Sequence, residues 1–460
     1  MLLPEPFSQT EALIEPWRRT LARRGSDAAV LDATGAVART FTDVEAEAER
    51  LAVSLGELPA GSVVAVRMGN SAAWPAVFLA LLRTGHVTLP LGADMEAPPF
   101  AHAVIDRDLC VTRRAWVEPV HALSPKTVLL KLTSGTTGAP RAVRFTAAQL
   151  AADCAQVCDT MGLQGDDVNF GAIPVAHSYG FSNLLTPLLL RGISVALTED
   201  RLPRALLAGL EKSEASVFAG TPIFFQHLAE LEARRPPRLR LCISAGAPLT
   251  VAVWMKFRLR YGLGIHTFYG SSECGGIAYD RSGVLSEEGG VGEPMVGVKV
   301  TPAEAGSPCH IEVRSGAVGE GYFPHEEPAV LDGERFVPGD LVRLTDRGLV
   351  IAGRASDFIN VAGRKLNPAE VERQLATFPG VEQAIVLGVP SRVRGEEPVV
   401  CVKGQEIDAA ALLRHCAAAL PAWQVPRDVW LVAELPFSER GKINRRALAE
   451  EYLNRHRAAD

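Results

Sequence analysis

Leu129-Leu-Lys-Leu-Thr-Ser-Gly-Thr-Thr-Gly-Ala-Pro-Arg141 runs from an apolar stretch into a loop holding four hydroxyls and two glycines. The letters predict a buried strand that opens into a loop at its end. Glycine lets backbone N–H groups approach an anion closely, and the hydroxyls of Thr133, Ser134, Thr136 and Thr137 add donors, so the loop suits phosphate. No Gly-Lys-Ser/Thr follows, which excludes a Walker loop. Taken alone, the same letters also fit a surface turn rich in Ser, Thr and Gly.

Outward from this loop the chain alternates. Thr42-Asp-Val-Glu45 reads as a capping box, with Val44, Ala48, Leu51, Ala52 and Leu55 following at helical spacing. Strands are expected at 63–68, 87–91 and 128–132, and helices at 71–84 and at 147–161, the latter capped by Thr146. The alternation continues with a strand at 168–173, a helix at 178–190, a strand at 193–197 and further pairs to Tyr261. This is the pattern of an α/β domain with helices on both faces of a sheet. From Gly289 to Asp346 the texture shifts to Gly, Pro, Val and short alternating runs, which read as twisted antiparallel strands. After Arg354 it shifts again, with a helix at 368–378, strands at 384–389 and 399–402, and a helix at 408–419. We place a boundary near Arg354–Phe358.

Composition bounds the classes. A chain of 460 residues corresponds to two or three domains at about 150 residues each. Hydrophobic residues make up 47%, too many for a disordered chain. Lys and Arg total 47 against 53 Asp and Glu, a formal charge of -6, which argues against a nucleic-acid partner. The eight cysteines (110, 154, 158, 242, 274, 309, 401, 416) form no CxxC, so zinc and thioredoxin motifs are absent, and Cys154 and Cys158 read as reduced thiols on one helix face. The N-terminal MLLPEPF lacks a basic region before an apolar run, and no apolar stretch is long enough for a membrane span. The expectation is a cytoplasmic protein.

Thr133-Ser-Gly-Thr-Thr-Gly-Ala-Pro-Arg141 resembles the phosphate loop of the adenylate-forming superfamily, which includes acyl- and aryl-CoA ligases, adenylation domains and beetle luciferases. The family loop usually ends in Pro-Lys-Gly, where this chain has Arg141 and Ala142. Further segments resemble the family in order. Pro174-Val-Ala-His-Ser-Tyr-Gly180 is similar to the segment whose His sits by the carboxylate pocket. Ser244-Ala-Gly-Ala-Pro-Leu249 resembles the turn bordering adenine and the acyl pocket. Tyr269-Gly-Ser-Ser-Glu273 resembles Tyr-Gly-x-Thr-Glu, with Ser272 replacing the usual Thr. Phe336-Val-Pro-Gly-Asp340 is like the Thr-Gly-Asp turn, with Pro338 replacing Thr. Gly353-Arg-Ala-Ser-Asp-Phe-Ile-Asn-Val-Ala-Gly-Arg-Lys-Leu-Asn-Pro-Ala-Glu-Val-Glu372 resembles the interdomain segment, and Pro436-Phe-Ser-Glu-Arg-Gly-Lys-Ile-Asn-Arg445 the C-terminal motif. Several of these segments, taken singly, are also compatible with an ordinary turn; their order over most of the chain is what carries the resemblance.

The resemblance implies a large N-terminal domain of α/β layers with a distorted β-barrel portion over residues 1–353. It implies a hinge at 354–358 on Ser356 and a small mobile α+β domain over 359–460. The implied activity joins a carboxylic acid, aryl or medium-chain, to Mg-ATP as an acyl-adenylate, and then to the thiol of coenzyme A. The alternatives are the phosphopantetheine of a carrier protein, an amine, or a catalytically silent nucleotide-binding scaffold. Implied catalytic residues are Lys442, His177, Ser272 and Glu273, the last also holding magnesium. Nucleotide contacts fall on Thr133, Ser134, Gly135, Thr136, Thr137, Gly138, Arg141, Gly246, Ala247, Pro248, Tyr269, Gly270, Ser271, Asp340 and Arg354. The acyl pocket draws on His177, Tyr179, Phe181, Phe218, Ala245, Gly246, Gly270 and Gly275, and the thiol channel on Val361, Ala362, Gly363 and Arg364. A monomer or homodimer is expected.

Overall fold

The computed structural model describes residues 7–114, 123–133, 141–287, 289–391, 393–436 and 445–457. Internal contacts divide the chain into two compact units. The first is Met1–Ala303 with Glu312–Pro338 and Asp346–Leu349; the second is Val350–Asp460 with Glu304–Ile311 and Gly339–Thr345.

The first unit is built on two sheets. One has the order Gly321–Phe323, Arg141–Thr146, Thr127–Thr133, Val87–Pro90, Val63–Arg67, Ala103–Asp106, Val111–Arg113. Its centre is parallel, and the strands Val63–Arg67 and Val87–Pro90 are buried almost throughout, as a sheet covered on both faces requires. The helix Trp74–Arg83 connects these two strands and is buried from Trp74 to Leu82. The other sheet runs Gly290–Pro294, Gly275–Tyr279, His266–Ser271, Leu241–Ser244, Val217–Gly220, Val168–Gly171, Ser194–Leu197, Ala28–Asp32, Val37–Thr40. Its parallel middle, from Ala28–Asp32 to His266–Ser271, matches the expected α/β alternation. Beyond Gly290, described pairings such as Val313 with Phe336 are antiparallel and do not by themselves close a barrel.

Local chemistry explains the boundaries. Thr146 accepts from the Gln149 amide while Gln149 returns to Thr146, so the helix Ala147–Met161 starts where the sequence places it. The earlier box lies two residues upstream of the expected one. Thr40, not Thr42, accepts from Asp43, and the Thr42 hydroxyl instead donates to the Gly25 carbonyl at 2.9 Å. The single helix expected at 178–190 is a short turn, Ser178–Gly180, then a π-helical segment, Phe181–Leu185, then the helix Thr186–Arg191. Gly180 is required there: a Cβ would lie 2.1 Å from the Pro174 carbonyl oxygen. Cys154 and Cys158 are buried free thiols with sulfurs 3.8 Å apart.

In the second unit the strands Arg364–Leu366, Ile359–Val361, Gly395–Gly404 and Val381–Ser391 are antiparallel neighbours, and Val429–Leu431 pairs in parallel with Gly395–Gly404. Val371, Leu375, Leu412 and Cys416 pack the helices Pro368–Ala376 and Ala409–Ala419 on one face. Leu448 and Tyr452 of the helix Arg445–Arg457 join Leu387 and Val399 on the other. Among the described residues, no helix is long and apolar enough to cross a membrane.

One buried carboxylate ties the first unit's second sheet to acidity. Asp167 is 4% exposed and accepts from Ser216 at 2.7 Å, from the Gln164 amide at 2.7 Å and from the Arg240 guanidinium. Burial pushes its carboxyl up, but the hydrogen bonds from Arg240, Ser216 and Gln164 outweigh it, and the net direction is down. A carboxyl depressed in the folded state takes up its proton more readily when unfolded, so its contribution is intact above the unfolded value of about 3.9 and is lost as pH falls below it. Urea midpoints between pH 7 and 3 are therefore expected to drop at the acid end, and Asp167→Asn to be less stable at pH 7 but flatter below pH 4.

Candidate active site

The strands Thr127–Thr133 and Arg141–Thr146 pair antiparallel, with Thr133 opposite Arg141, so the two ends of the 133–141 loop stand side by side. The Thr133 hydroxyl donates to the Arg141 carbonyl at 3.3 Å. Ser134, Gly135, Thr136, Thr137 and Gly138 lie outside the described residues, as does Lys442.

Arg141 is held on two sides. Its Nη1 and Nη2 donate to Glu327 at 2.8 and 3.1 Å, and its guanidinium carbon sits 3.1 Å from the centroid of the Tyr322 ring. The Tyr322 hydroxyl donates to Glu273 Oε1 at 3.2 Å. Burial and the Glu273 charge push the Tyr322 phenol up, so it remains a donor at neutral pH. The chain of contacts Glu327–Arg141–Tyr322–Glu273 thus joins the end of the loop to the carboxylate assigned to the metal.

Glu273 lies in the turn between the antiparallel strands His266–Ser271 and Gly275–Tyr279. Its amide donates to Ser271 Oγ at 3.2 Å, and its carbonyl accepts from the Gly319 amide at 2.8 Å. Ser272 accepts from Ser178 at 2.9 Å, which ties this turn to the His177 segment. Gly275 has φ of +68°, and a Cβ there would lie 2.0 Å from Asp153 Oδ1. A Cβ on Gly270 would meet the Gly275 carbonyl at 2.7 Å. Tyr269 is 7% exposed and lies opposite Ala278. Burial pushes the Cys274 thiol up to about 12, which keeps it a packing residue rather than a nucleophile.

A buried polar chain stands behind that turn. Lys131 is 4% exposed, donates to Ser182 Oγ at 3.4 Å and lies 4.8 Å from the centroid of the Phe145 ring. Ser182 donates to Asp153, and Asp153 accepts the Gly276 amide at 3.2 Å. Burial pushes the Lys131 ammonium down, while Asp153, Cys274 and Glu273 act the other way.

His177 precedes the short turn Ser178–Gly180, and its carbonyl accepts from the Phe181 amide at 2.8 Å. Tyr179 shares its hydroxyl proton between the Gly220 and Ile243 carbonyls at 3.3 and 3.2 Å, crossing the ends of two parallel strands. Open α/β sheets bind ligands at the carboxyl ends of their strands, and Ala245, Gly246, Ala247 and Pro248 leave the sheet at that same end. Gly246 has φ of +87°. Phe181 and Phe218 differ from the expectation of pocket-lining rings. Phe181 is 1% exposed with its ring 5.1 Å from that of Phe78, and Phe218 is 0% exposed among Phe170, Phe224 and Phe225. Both therefore sit in the core and present no accessible surface to a ligand.

In the second unit, Arg354 Nε donates to Asp340 Oδ1 at 2.8 Å, so the two residues assigned to ribose are together. Ser356 lies in a 3-10 turn, Ala355–Asp357, directly after the strand that ends at Arg354. Ala362 and Gly363 both have positive φ, +51° and +80°, as a two-residue hairpin turn between Val361 and Arg364 requires. Ala362 is thereby held where a residue with a Cβ is strained, and the Arg364 guanidinium lies 5.6 Å from the centroid of the Trp423 ring. Arg445, at the start of the last helix, donates to both oxygens of Glu372 and to the Val386 carbonyl at 2.8 Å.

Sequence reasoning missed Tyr322, Glu327, Lys131, Asp153 and Arg445 as site-bearing residues. Lys131 alone carried a signal, as one charge inside an apolar strand. Among the described residues, no group of three or more His, Cys, Asp or Glu could hold a metal. Glu273 therefore belongs to no such group there, and a single carboxylate suits a magnesium ion already carried by phosphates and water rather than a protein-built metal centre.

The sequence model described as AMP-binding enzyme matches residues 17–112 and 111–323, and the one described as AMP-binding enzyme C-terminal domain matches 370–442. The chain is 28% identical over 458 residues to a feruloyl-CoA synthase of Amycolatopsis sp, covering 89% of this chain and 93% of that protein. It is 26% identical over 339 residues to a 3,4-dihydroxybenzoate–[aryl-carrier protein] ligase of Bacillus anthracis, covering 72% and 76%. The ATP-bound crystal structure of MatB from Rhodopseudomonas palustris superposes with a TM-score of 0.82 at 23% identity, covering 96% of this chain and 99% of that one, a likeness of fold.

Proposed function

We propose, since the chain belongs to the AMP-binding enzyme family of adenylate-forming enzymes, that it is an acid–thiol ligase that activates a carboxylic acid with ATP and passes the acyl group to coenzyme A. The observation that carries this is the line of contacts from Arg141 through Tyr322 to Glu273, which sets a phosphate-loop cation and a metal-type carboxylate in one assembly.

In this reading the hydroxyls and glycines of Thr133–Gly138 grip the triphosphate. His177 orients the carboxylate, Ser272 and Tyr269 flank the α-phosphate and adenine, and Asp340 with Arg354 takes the ribose hydroxyls. An ionised carboxylate has two oxygens with which to accept both hydroxyls. Lys442 draws the acid and the α-phosphate together and offsets charge at the pentavalent phosphorus. Glu273 would hold magnesium, which when bound would supply a charge that neutralises the phosphates. Pyrophosphate leaves, and the acyl-adenylate meets a thiol after the small domain turns about Ser356. The domain limits follow the sequence reading, 1–353, 354–358 and 359–460, and the thiol approaches along Val361–Arg364.

Tyr179, Ala245, Gly246, Gly270 and Gly275 border the acyl group, and an aryl acid or a medium-chain aliphatic acid fits that mix of one ring with small residues. Coenzyme A is the first acceptor, a choice supported by the relative named as a feruloyl-CoA synthase. The ligase named for an aryl-carrier protein supports phosphopantetheine of a separate carrier as the second. An amine acceptor, giving an amide, is the third. We place the enzyme in the cytoplasm, as a monomer or homodimer. The acceptor is tested by incubating the protein with an acid, Mg-ATP and either coenzyme A or a phosphopantetheinylated carrier, and reading which thiol gains the acyl mass. Acylated coenzyme A is expected; acylation of the carrier alone overturns that choice.

A further inference from the structure

We propose that Tyr322 is a positioning residue for the metal-binding carboxylate, fixing Glu273 and tying it to the cation at the end of the phosphate loop. The inference rests on the functional reading above and deepens it. Tyr322 lies on the strand Gly321–Phe323, which pairs with Arg141–Thr146, and Val143 stands opposite Tyr322 in the register. This pairing brings the phenol to the Glu273 turn, 49 residues away in sequence. The hydroxyl engages Oε1 of Glu273 at 3.2 Å, so one carboxylate oxygen is oriented while the side chain as a whole is held.

The other side of the ring explains why the phenol stays in place. The Arg141 guanidinium covers the ring face at 3.1 Å from its centroid and is itself clamped by both oxygens of Glu327. A cation over an aromatic face is attractive, and the planar fork lets Arg stack and pair at once, which a Lys cannot do. The replacement of the family's usual Lys by Arg141 thus acquires a specific consequence in this chain: it builds a rigid support for Tyr322. A carboxylate on a flexible stem loses rotamer freedom when it takes a metal, and prior fixation removes part of that cost. Groups that orient a ligating side chain contribute roughly 10- to 100-fold to metal affinity.

The test is Tyr322→Phe, which keeps the ring under Arg141 and removes only the hydroxyl. Binding of Mn2+ in the presence of a non-hydrolysable ATP analogue is read by electron paramagnetic resonance, and the Mg2+ dependence of acid-dependent pyrophosphate exchange is read beside it. Affinity for Mn2+ is expected to fall roughly tenfold, with a matching rise in the Mg2+ needed for half-maximal exchange. The KM for the acid and the rate at saturating Mg2+ are expected to stay near the parent's. In a Glu273→Gln background the same change is expected to have no effect on Mn2+ binding. Thermal melts of each variant show whether the fold is kept. Unchanged Mn2+ affinity in a folded Tyr322→Phe protein overturns the inference and leaves the functional reading standing. A fall in rate that saturating Mg2+ does not restore also overturns it, because a purely structural defect behaves that way. A parent protein that binds no Mn2+–nucleotide overturns the functional reading together with it.

Discussion

Replacing Lys442 with Ala is expected to cut acyl-adenylate formation by roughly 100- to 1,000-fold, the size usual for losing one charge-stabilising donor at a developing anion. Transfer from chemically supplied acyl-adenylate to the thiol is expected to proceed at close to the parental rate. The split follows from electrostatics. Attack of a carboxylate on a phosphate brings two anions together, and one ammonium between them offsets that repulsion in the transition state. Once the adenylate exists, the thiol attacks a neutral carbonyl and the same cation has less to do. Equal loss in both half-reactions contradicts the role. Arg445, three residues further on, has its guanidinium fixed to Glu372 and to the Val386 carbonyl. A variant that unfolds the last helix would lose both activities, so a circular-dichroism melt of Lys442→Ala belongs with the kinetics.

Asp153→Ala is expected to have the second largest effect, a loss of stability of up to about 3–5 kcal/mol, since it removes the carboxylate that the buried Lys131 ammonium meets through the Ser182 hydroxyl. Lys131 is reached through Ser182, and all three side chains are buried. The same change frees the Gly276 amide beside the Glu273 turn. If the loss arises from a stranded ammonium, Lys131→Met with Asp153→Leu should return close to parental stability, because well-packed apolar replacements of a buried pair are often neutral. Urea midpoints of the two single variants and the double variant decide this. A double variant as unstable as the sum of the singles contradicts the pairing.

What the sequence disclosed follows what local chemistry encodes. Thr146 and Gln149 cap their helix through neighbours three residues apart, so that start was readable from the letters. The same motif at Thr42 misled because the Thr42 hydroxyl goes to Gly25, a contact that only the fold creates. Expected strands at 384–389 and 399–402 are parts of a longer hairpin, Val381–Ser391 with Gly395–Gly404, whose polar ends pair through the backbone and leave no hydrophobic signature. At the site, Arg354 and Asp340, 14 residues apart in sequence, are hydrogen-bonded to each other. Tyr322 was invisible for a different reason. Its role depends on a strand register with Arg141–Thr146 and on a ring stacked beneath an Arg, and neither leaves a pattern in Gly-Tyr-Phe. Phe181 and Phe218 show the opposite error, since an aromatic letter near a motif says nothing of which side of the backbone its ring will fill.

The proposed function requires that this chain convert a carboxylate and ATP into an acyl-adenylate and pyrophosphate. Exchange of labelled pyrophosphate into ATP measures that step alone, independent of the acceptor. Run with the purified protein and Mg2+ across a panel of aryl and alkyl acids, it is expected to show label in ATP that depends on one class of acid and is abolished by Lys442→Ala. No acid-dependent exchange with any member of the panel, from a folded protein that still binds nucleotide, contradicts the account and favours a nucleotide-binding scaffold.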